Sequence, residues 1–276
     1  MSEQSGLSAD IVAVGKMMLW EYGNQDELNT PGHLKEKISL CWLSRTLRQL
    51  EAVEILVRGG YHADGWISFR SLLERYLLYT HLCAMNEFEV FDDWCFKQRH
   101  EGAMRVKSNA MLQTKPEVMQ HKFSENETER YRRVLADERV RKWKRPKMEE
   151  VSRRVEMKFL YDAGYDFASG YVHPVADDGN DDYFILMNRP HEIHDDNTPQ
   201  ILVRNAQLVT TLHMQEFMNQ PGLNWRRVVY DLIDAIRHKI GGETIDYSVT
   251  LQKVVYLHLS PAGLCEKGVA GMSKLT

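Results

Sequence analysis

The chain has 276 residues, 43% of them hydrophobic and 27% charged, with a formal net charge of -4. These are globular proportions, which exclude a disordered chain, and the acidic balance excludes a broadly basic nucleic-acid coat while leaving room for a local basic patch. No apolar run reaches the ~18 residues needed to span a bilayer, and the N-terminus lacks a basic region followed by an apolar core of a signal peptide, so no membrane partner and a cytoplasmic location are expected. Cys41, Cys83, Cys95 and Cys265 lie far apart without a CxxC pair. They read as buried free thiols rather than a zinc site or a disulfide framework.

Only 8 prolines and 17 glycines punctuate the chain, which favours long regular elements. Ser8 is placed to cap a first helix whose apolar face includes Ile11, Val12, Met17, Met18 and Leu19 and which stops at Gly23 and Asn24. After a turn at Asn29 to Gly32, a second helix runs to about Arg58, with Leu34, Ile38, Cys41, Trp42, Leu50, Val53 and Leu56 repeating close to the 3.6-residue period. Gly59 and Gly60 end it. A third, starting near Ala63, is apolar over much of its surface (Trp66, Phe69, Leu72, Leu73, Tyr76, Leu77, Tyr79), the mark of a central helix. A fourth spans about Glu87 to Leu112.

Ser124 and Glu127 form an S-x-x-E capping box opening the charged stretch ETERYRRVLADERVRKWKR, which Pro146 breaks. Within it Arg132, Arg133, Arg141, Lys142, Trp143 and Lys144 mix cations with an aromatic ring, as a nucleic-acid-binding face would. With Glu127, Glu129, Asp137 and Glu138 among them, the stretch reads equally as a charge-balanced exposed helix. The next helix runs from about Met148 to Val172 with a weak point at Gly164, and His173-Pro174 ends it. VADDGNDD is an acidic loop, and Tyr183 to Met187 has the look of a short strand. Further helices follow from Thr198-Pro199 to Asn219 and from an Asn224 cap to Ile240. The run Tyr247 to Leu259 fits helix or strand, and the tail from Pro261 is loose. The expectation is an all-α fold, one helical domain over 1–276: an N-terminal helix (1–30), a main bundle (31–240) and a C-terminal segment (241–276).

Arg70 and Glu74 stand at i and i+4 on the most apolar helix, so they share a face. Tyr165, Ser169 and His173 repeat that spacing along another helix, flanked by Asp162 and Asp166. If the two helices pack together, Arg70, Glu74, Ser169 and His173 share one pocket, with His173 suited to acid-base work and Arg70 to a phosphate or a developing anion. The alternative is a structural ion pair that sets helix register and a histidine that caps a helix C-terminus.

The pieces FRSLLERYLLY and YDFASGYVHP resemble the paired signatures of an uncharacterised bacterial family with R-S-L-L-E on one helix and S-x-x-V-H-P on another. The resemblance covers roughly residues 35 to 215, and its matched positions are Arg70, Glu74, Ser169 and His173. That family is distantly similar to the HEPN helical bundles of toxin and phage-defence systems, many of them metal-independent ribonucleases that act as dimers. The resemblance implies a HEPN-like core, RNA as substrate, a homodimer or a cognate regulatory protein as partner, and no metal or organic cofactor. His173 would be the base, Arg70 would steady the phosphate, Glu74 would orient Arg70, and Ser169 would donate a hydrogen bond. The R-x(4–6)-H motif of those nucleases is matched by Arg189 to His194, in a proline-containing stretch. The rival reading is a non-catalytic interaction or sensor protein in which the same four residues form a structural polar network. The run His191, His194, Asp195 and Asp196 reads as a solvated loop rather than a metal site, since it lacks a third well-placed ligand. No E-x-x-H, P-loop, G-x-G-x-x-G or G-x-S-x-G occurs.

Overall fold

A computed structural model describes residues 2–23, 33–113, 115, 122–173, 179–188, 198–219 and 226–256. The described residues are helical, with no strand among them. The long helices are α1 (Ser2–Gly23), α2 (Leu34–Arg58), α3 (His62–Met85) and α4 (Phe88–Ser108). Then come α5 (Glu125–Ala136), α6 (Glu138–Lys142), α7 (Met148–Arg154), α8 (Asn180–Leu186), α9 (Thr198–Met218) and α10 (Arg226–Ile240). None of these helices is long and apolar enough to cross a membrane.

The contacts divide the chain into two compact units, residues 1–80 with 148–276, and residues 81–147. In the first, α9 packs on α2, α10 and α1, and α1 packs on α2. Burial of Ile11, Met17, Leu43, Leu50, Leu72, Val209 and Ile233 builds its core, and removal of this apolar area from water is the main force holding the helices together. The α1–α2 crossing is close enough that a Cβ on Gly15 would lie 2.5 Å from Leu47 Cδ2, so a side chain there would have to displace Leu47. In the second unit α4 packs against α5 and α6, with Phe88, Phe91, Val134 and Val140 buried. His100 lies sandwiched there between the Phe123 and Tyr131 rings, at 4.1 and 4.0 Å.

Several local expectations are corrected. The first helix begins at Ser2, so Ser8 is interior; its buried hydroxyl accepts from Gln207 Nε2 at 2.8 Å instead of capping. Residues 183–187 are not a strand: 180–186 form α8, because a helix closes its own backbone hydrogen bonds where a lone strand would have no neighbour to bond. The charged stretch breaks at Asp137, before Pro146, where the Asp137 carboxylate accepts from the Arg139 backbone N–H and caps α6. The Ser124–Glu127 capping box is present in both directions. The three described thiols are not buried: Cys41 is exposed, and Cys83 and Cys95 are half-buried. Residues 248–256 are helical, an α turn Ser248–Leu251 followed by a π turn Gln252–Tyr256. The turn at 29–32, the loop 175–178, the 189–196 stretch, the Asn224 cap and the tail with Cys265 lie outside the described residues.

Candidate functional site

The expected helix from Met148 to Val172 is broken into pieces, and the break builds the site. After α7, Glu156 takes a left-handed conformation (φ 59°). An α turn (Lys158–Leu160), a π turn (Tyr161–Asp166) and a second α turn (Phe167–Ser169) follow. Such wide turns inside helices are frequent at functional sites. Gly164 lies against α3: a Cβ there would sit 3.0 Å from Phe69 Cε1 and 3.3 Å from Leu73 Cδ2, and both side chains are fully buried. The missing side chain lets the segment lie directly on α3.

That approach brings Arg70 and Ser169 together. Arg70 Nε donates to Ser169 Oγ at 3.1 Å, and Arg70 Nη2 donates to the Tyr165 hydroxyl at 3.0 Å. The guanidinium also lies 4.6 Å from the centre of the Tyr165 ring, a cation–π contact. The Ser169 hydroxyl donates to the Tyr165 carbonyl oxygen at 2.7 Å, so its oxygen is left to accept from Arg70. The hydrogen bonds of Arg70 go to Ser169 and Tyr165, and none of the ion pairs among the described residues joins it to Glu74. The hydrogen-bond partners of Arg70 among the described residues are neutral hydroxyls. His173 lies one turn beyond Ser169, its backbone N–H bonded to the Ser169 carbonyl, and it is exposed. The geometry thus joins Arg70, Tyr165 and Ser169 and keeps His173 on the same segment.

An aromatic group borders these residues. Trp66, one turn before Arg70 on α3, is buried and packs edge-on to Phe167 at 4.7 Å and stacks with Tyr171 at 6.3 Å. Phe159, Phe167 and Tyr171 are themselves exposed.

The basic stretch belongs to the second unit. Arg132, Arg133, Arg141, Lys142 and Lys144 are exposed there. Lys142 pairs with Glu138 at 2.5 Å, one turn away on α6. Trp143 is turned inward: its indole N–H donates to Glu87 at 2.9 Å and its ring packs on Trp94 at 5.0 Å and Phe91 at 5.6 Å. Arg130 is fixed between Asp92 and Asp93 at 2.6 and 2.7 Å.

A polar seam that sequence reasoning missed runs through the core of the first unit. Tyr79 donates to Ser39 at 2.9 Å, Thr46 and His213 Nδ1 are hydrogen-bonded at 2.8 Å, and Arg75 donates to the Gln49 side-chain carbonyl. Burial, and secondarily the charge of Arg75, pushes His213 down to about 3, so it is neutral. Burial likewise lifts the Tyr76 hydroxyl to about 12. A histidine in the apolar sequence VTTLHM was the available signal, but nothing in the pattern names Thr46 as its partner.

A family of unknown function, DUF5677, matches residues 36–188, more than half of the chain and inclusive of both signatures. The protein belongs to this family. No curated protein and no solved structure matches the chain.

Proposed function

We propose that the protein is a HEPN-like helical protein of a toxin or phage-defence system that cleaves RNA without a metal. The observation that carries this reading is Arg70: a half-buried guanidinium held by two hydroxyls, with no carboxylate paired to it among the described residues and an exposed histidine on the segment it holds. Arg70 would steady a phosphate. His173 would take the 2′-hydroxyl proton, the 2′-oxygen would attack phosphorus, and the P–O5′ bond would break. Water would protonate the leaving 5′-oxygen, giving a 2′,3′-cyclic phosphate and a 5′-hydroxyl end. Tyr165 and Ser169, in place of Glu74, would position Arg70 for this. A homodimer, or a cognate protein that restrains the activity, fits such a role, and the exposed cations Arg132, Arg133, Arg141, Lys142 and Lys144 offer phosphate contacts.

The test is cleavage of single-stranded RNA by purified protein. His173→Ala should abolish cleavage while leaving the melting temperature within about 2 °C of the parent, because an exposed side chain contributes little to stability. A folded His173→Ala protein that cuts RNA at the parental rate would overturn the catalytic role.

A second reading has its own support. The Arg70 bonds also fasten the segment that exposes Phe159, Phe167 and Tyr171, and exposed aromatic clusters mark protein interfaces. Here the protein would be a non-catalytic interaction or sensor protein. Arg70→Ala would then abolish partner binding, whereas His173→Ala would leave it intact.

A further inference from the structure

Trp66 and Arg70 stand one turn apart on the same face of α3, and the segment that carries Tyr165 to Tyr171 lies across both. Its side chains sort by partner. Tyr165 and Ser169 accept from the Arg70 guanidinium at 3.0 and 3.1 Å. Phe167 and Tyr171 pack on the Trp66 indole instead: Phe167 meets it edge-on, with ring centres 4.7 Å apart, and Tyr171 lies within 5° of parallel to it at 6.3 Å. The Phe167 and Tyr171 rings meet each other at 5.7 Å and 65°. The three rings form a corner whose floor, Trp66, is buried and whose two sides are exposed. The Trp66 indole N–H is sealed from water and has no acceptor among the described residues. An unmet buried donor is costly, and native folds keep few of them.

We propose that this corner receives one unpaired nucleobase of the RNA strand whose phosphate Arg70 holds. It rests on the RNA-cleavage reading and adds to it the place of the base. Exposed aromatic rings beside a guanidinium are the combination that holds single strands: a ring face stacks a base of any identity, and the cation tracks the backbone. A base laid on Tyr171 has its edge against Phe167. Phe167 is exposed and turns aside at little cost, which lets an acceptor on the base edge, a carbonyl oxygen or a ring nitrogen, reach the Trp66 N–H. Trp66 and Arg70 are separated by one turn, about 5.4 Å of rise, so the base and phosphate sites lie within the span of one nucleotide. The corner selects single-stranded RNA, because a base in a duplex must first lose its pairing and stacking to enter it.

The probe is a short, fluorescently labelled 2′-O-methyl oligoribonucleotide, which has no free 2′-hydroxyl to be cut, compared with the same strand lacking its bases. Both carry the same phosphates, so the difference between them isolates the bases. Fluorescence anisotropy with the full chain should show the base-bearing strand bound at least about tenfold more tightly, the weight of one stacked base. Tyr171→Leu, a change at an exposed position, should bring the two affinities together and leave that of the abasic strand unchanged. Trp66→Phe keeps a ring and removes the donor, so it should lower the ratio as well; Tyr171→Leu carries the test if the buried change prevents folding. The proposal is overturned if the parent binds the two strands alike, or if Tyr171→Leu leaves their ratio at the parental value. If neither strand binds, it falls together with the RNA reading, and the exposed rings are left to the protein interface of the second reading. The two readings otherwise separate cleanly. A His173→Ala protein that still cuts RNA overturns the cleavage role alone, and equal binding of the two strands with cleavage intact overturns the base site alone.

Discussion

Replacing Gly164 by alanine tests how the Arg70 network is assembled. Two effects oppose each other. Within a helical segment alanine is favoured over glycine by about 1 kcal/mol, because glycine loses more backbone freedom on folding. Against this, the new Cβ would lie 3.0 Å from Phe69 Cε1, 3.2 Å from Phe69 Cζ and 3.3 Å from Leu73 Cδ2. Neither ring nor methyl has an exposed direction in which to retreat, since Phe69 and Leu73 are fully buried. Overpacking of this kind costs about 1–3 kcal/mol, so the net effect should be a loss of up to about 2 kcal/mol, or up to about 8 °C in melting temperature. The strain is relieved by moving the π turn off α3. A shift of a few tenths of an ångström carries the 3.0 and 3.1 Å bonds from Arg70 beyond good hydrogen-bonding distance. Cleavage or partner binding should therefore fall more than stability. Gly170→Ala is the control: its Cβ would meet only the Phe167 carbonyl at 3.4 Å, an ordinary contact, so the variant should melt at or slightly above the parent temperature. Thermal unfolding by circular dichroism reads both. A Gly164→Ala protein as stable as Gly170→Ala, with function intact, would refute the close-approach argument.

Acid should destabilise the fold through His213. Its pKa is depressed to about 3 in the folded state, so the unfolded chain binds the proton first as pH falls below about 6.5. The stability is fully present above that pH and declines by about 1.4 kcal/mol per pH unit down to about pH 3. Urea unfolding between pH 7 and 4.5 measures it, and a His213→Gln variant with an unchanged slope would remove His213 as the cause. Arg70→Ala leaves the Tyr165 and Ser169 hydroxyls without their donor and should lose about 1–3 kcal/mol, which His173→Ala should not; equal losses would contradict the placement of the two residues. Ser124→Ala should lose about 1 kcal/mol, read as faster amide exchange in the first turn of α5, because the capping box satisfies two backbone donors there; unchanged exchange would argue against the cap.

The amino-acid sequence alone determined what depends on neighbours within one or two turns. The 3.6-residue period placed α2, α3, α9 and most of α4, and Ser124 with Glu127 announced the start of α5, because periodicity and capping are local properties of the chain. That Arg70 would meet Ser169 was also legible, since a polar group on an otherwise apolar helix such as α3 needs a partner. Tertiary structure decided the rest. The spacing of Arg70 and Glu74 is local, but the hydroxyls of Tyr165 and Ser169 that accept from the Arg70 guanidinium lie 95 and 99 residues away. Gly164 read as a weak point in a helix; only the packed Phe69 explains why a side chain is excluded there. Residues 183–187 looked like a strand because a short apolar run suits either element, and without a neighbouring strand to bond, the backbone closed on itself as helix. The seam of Thr46 with His213 and Gln49 with Arg75 joins residues 167 and 26 positions apart, and no local pattern records which buried polar group will meet which.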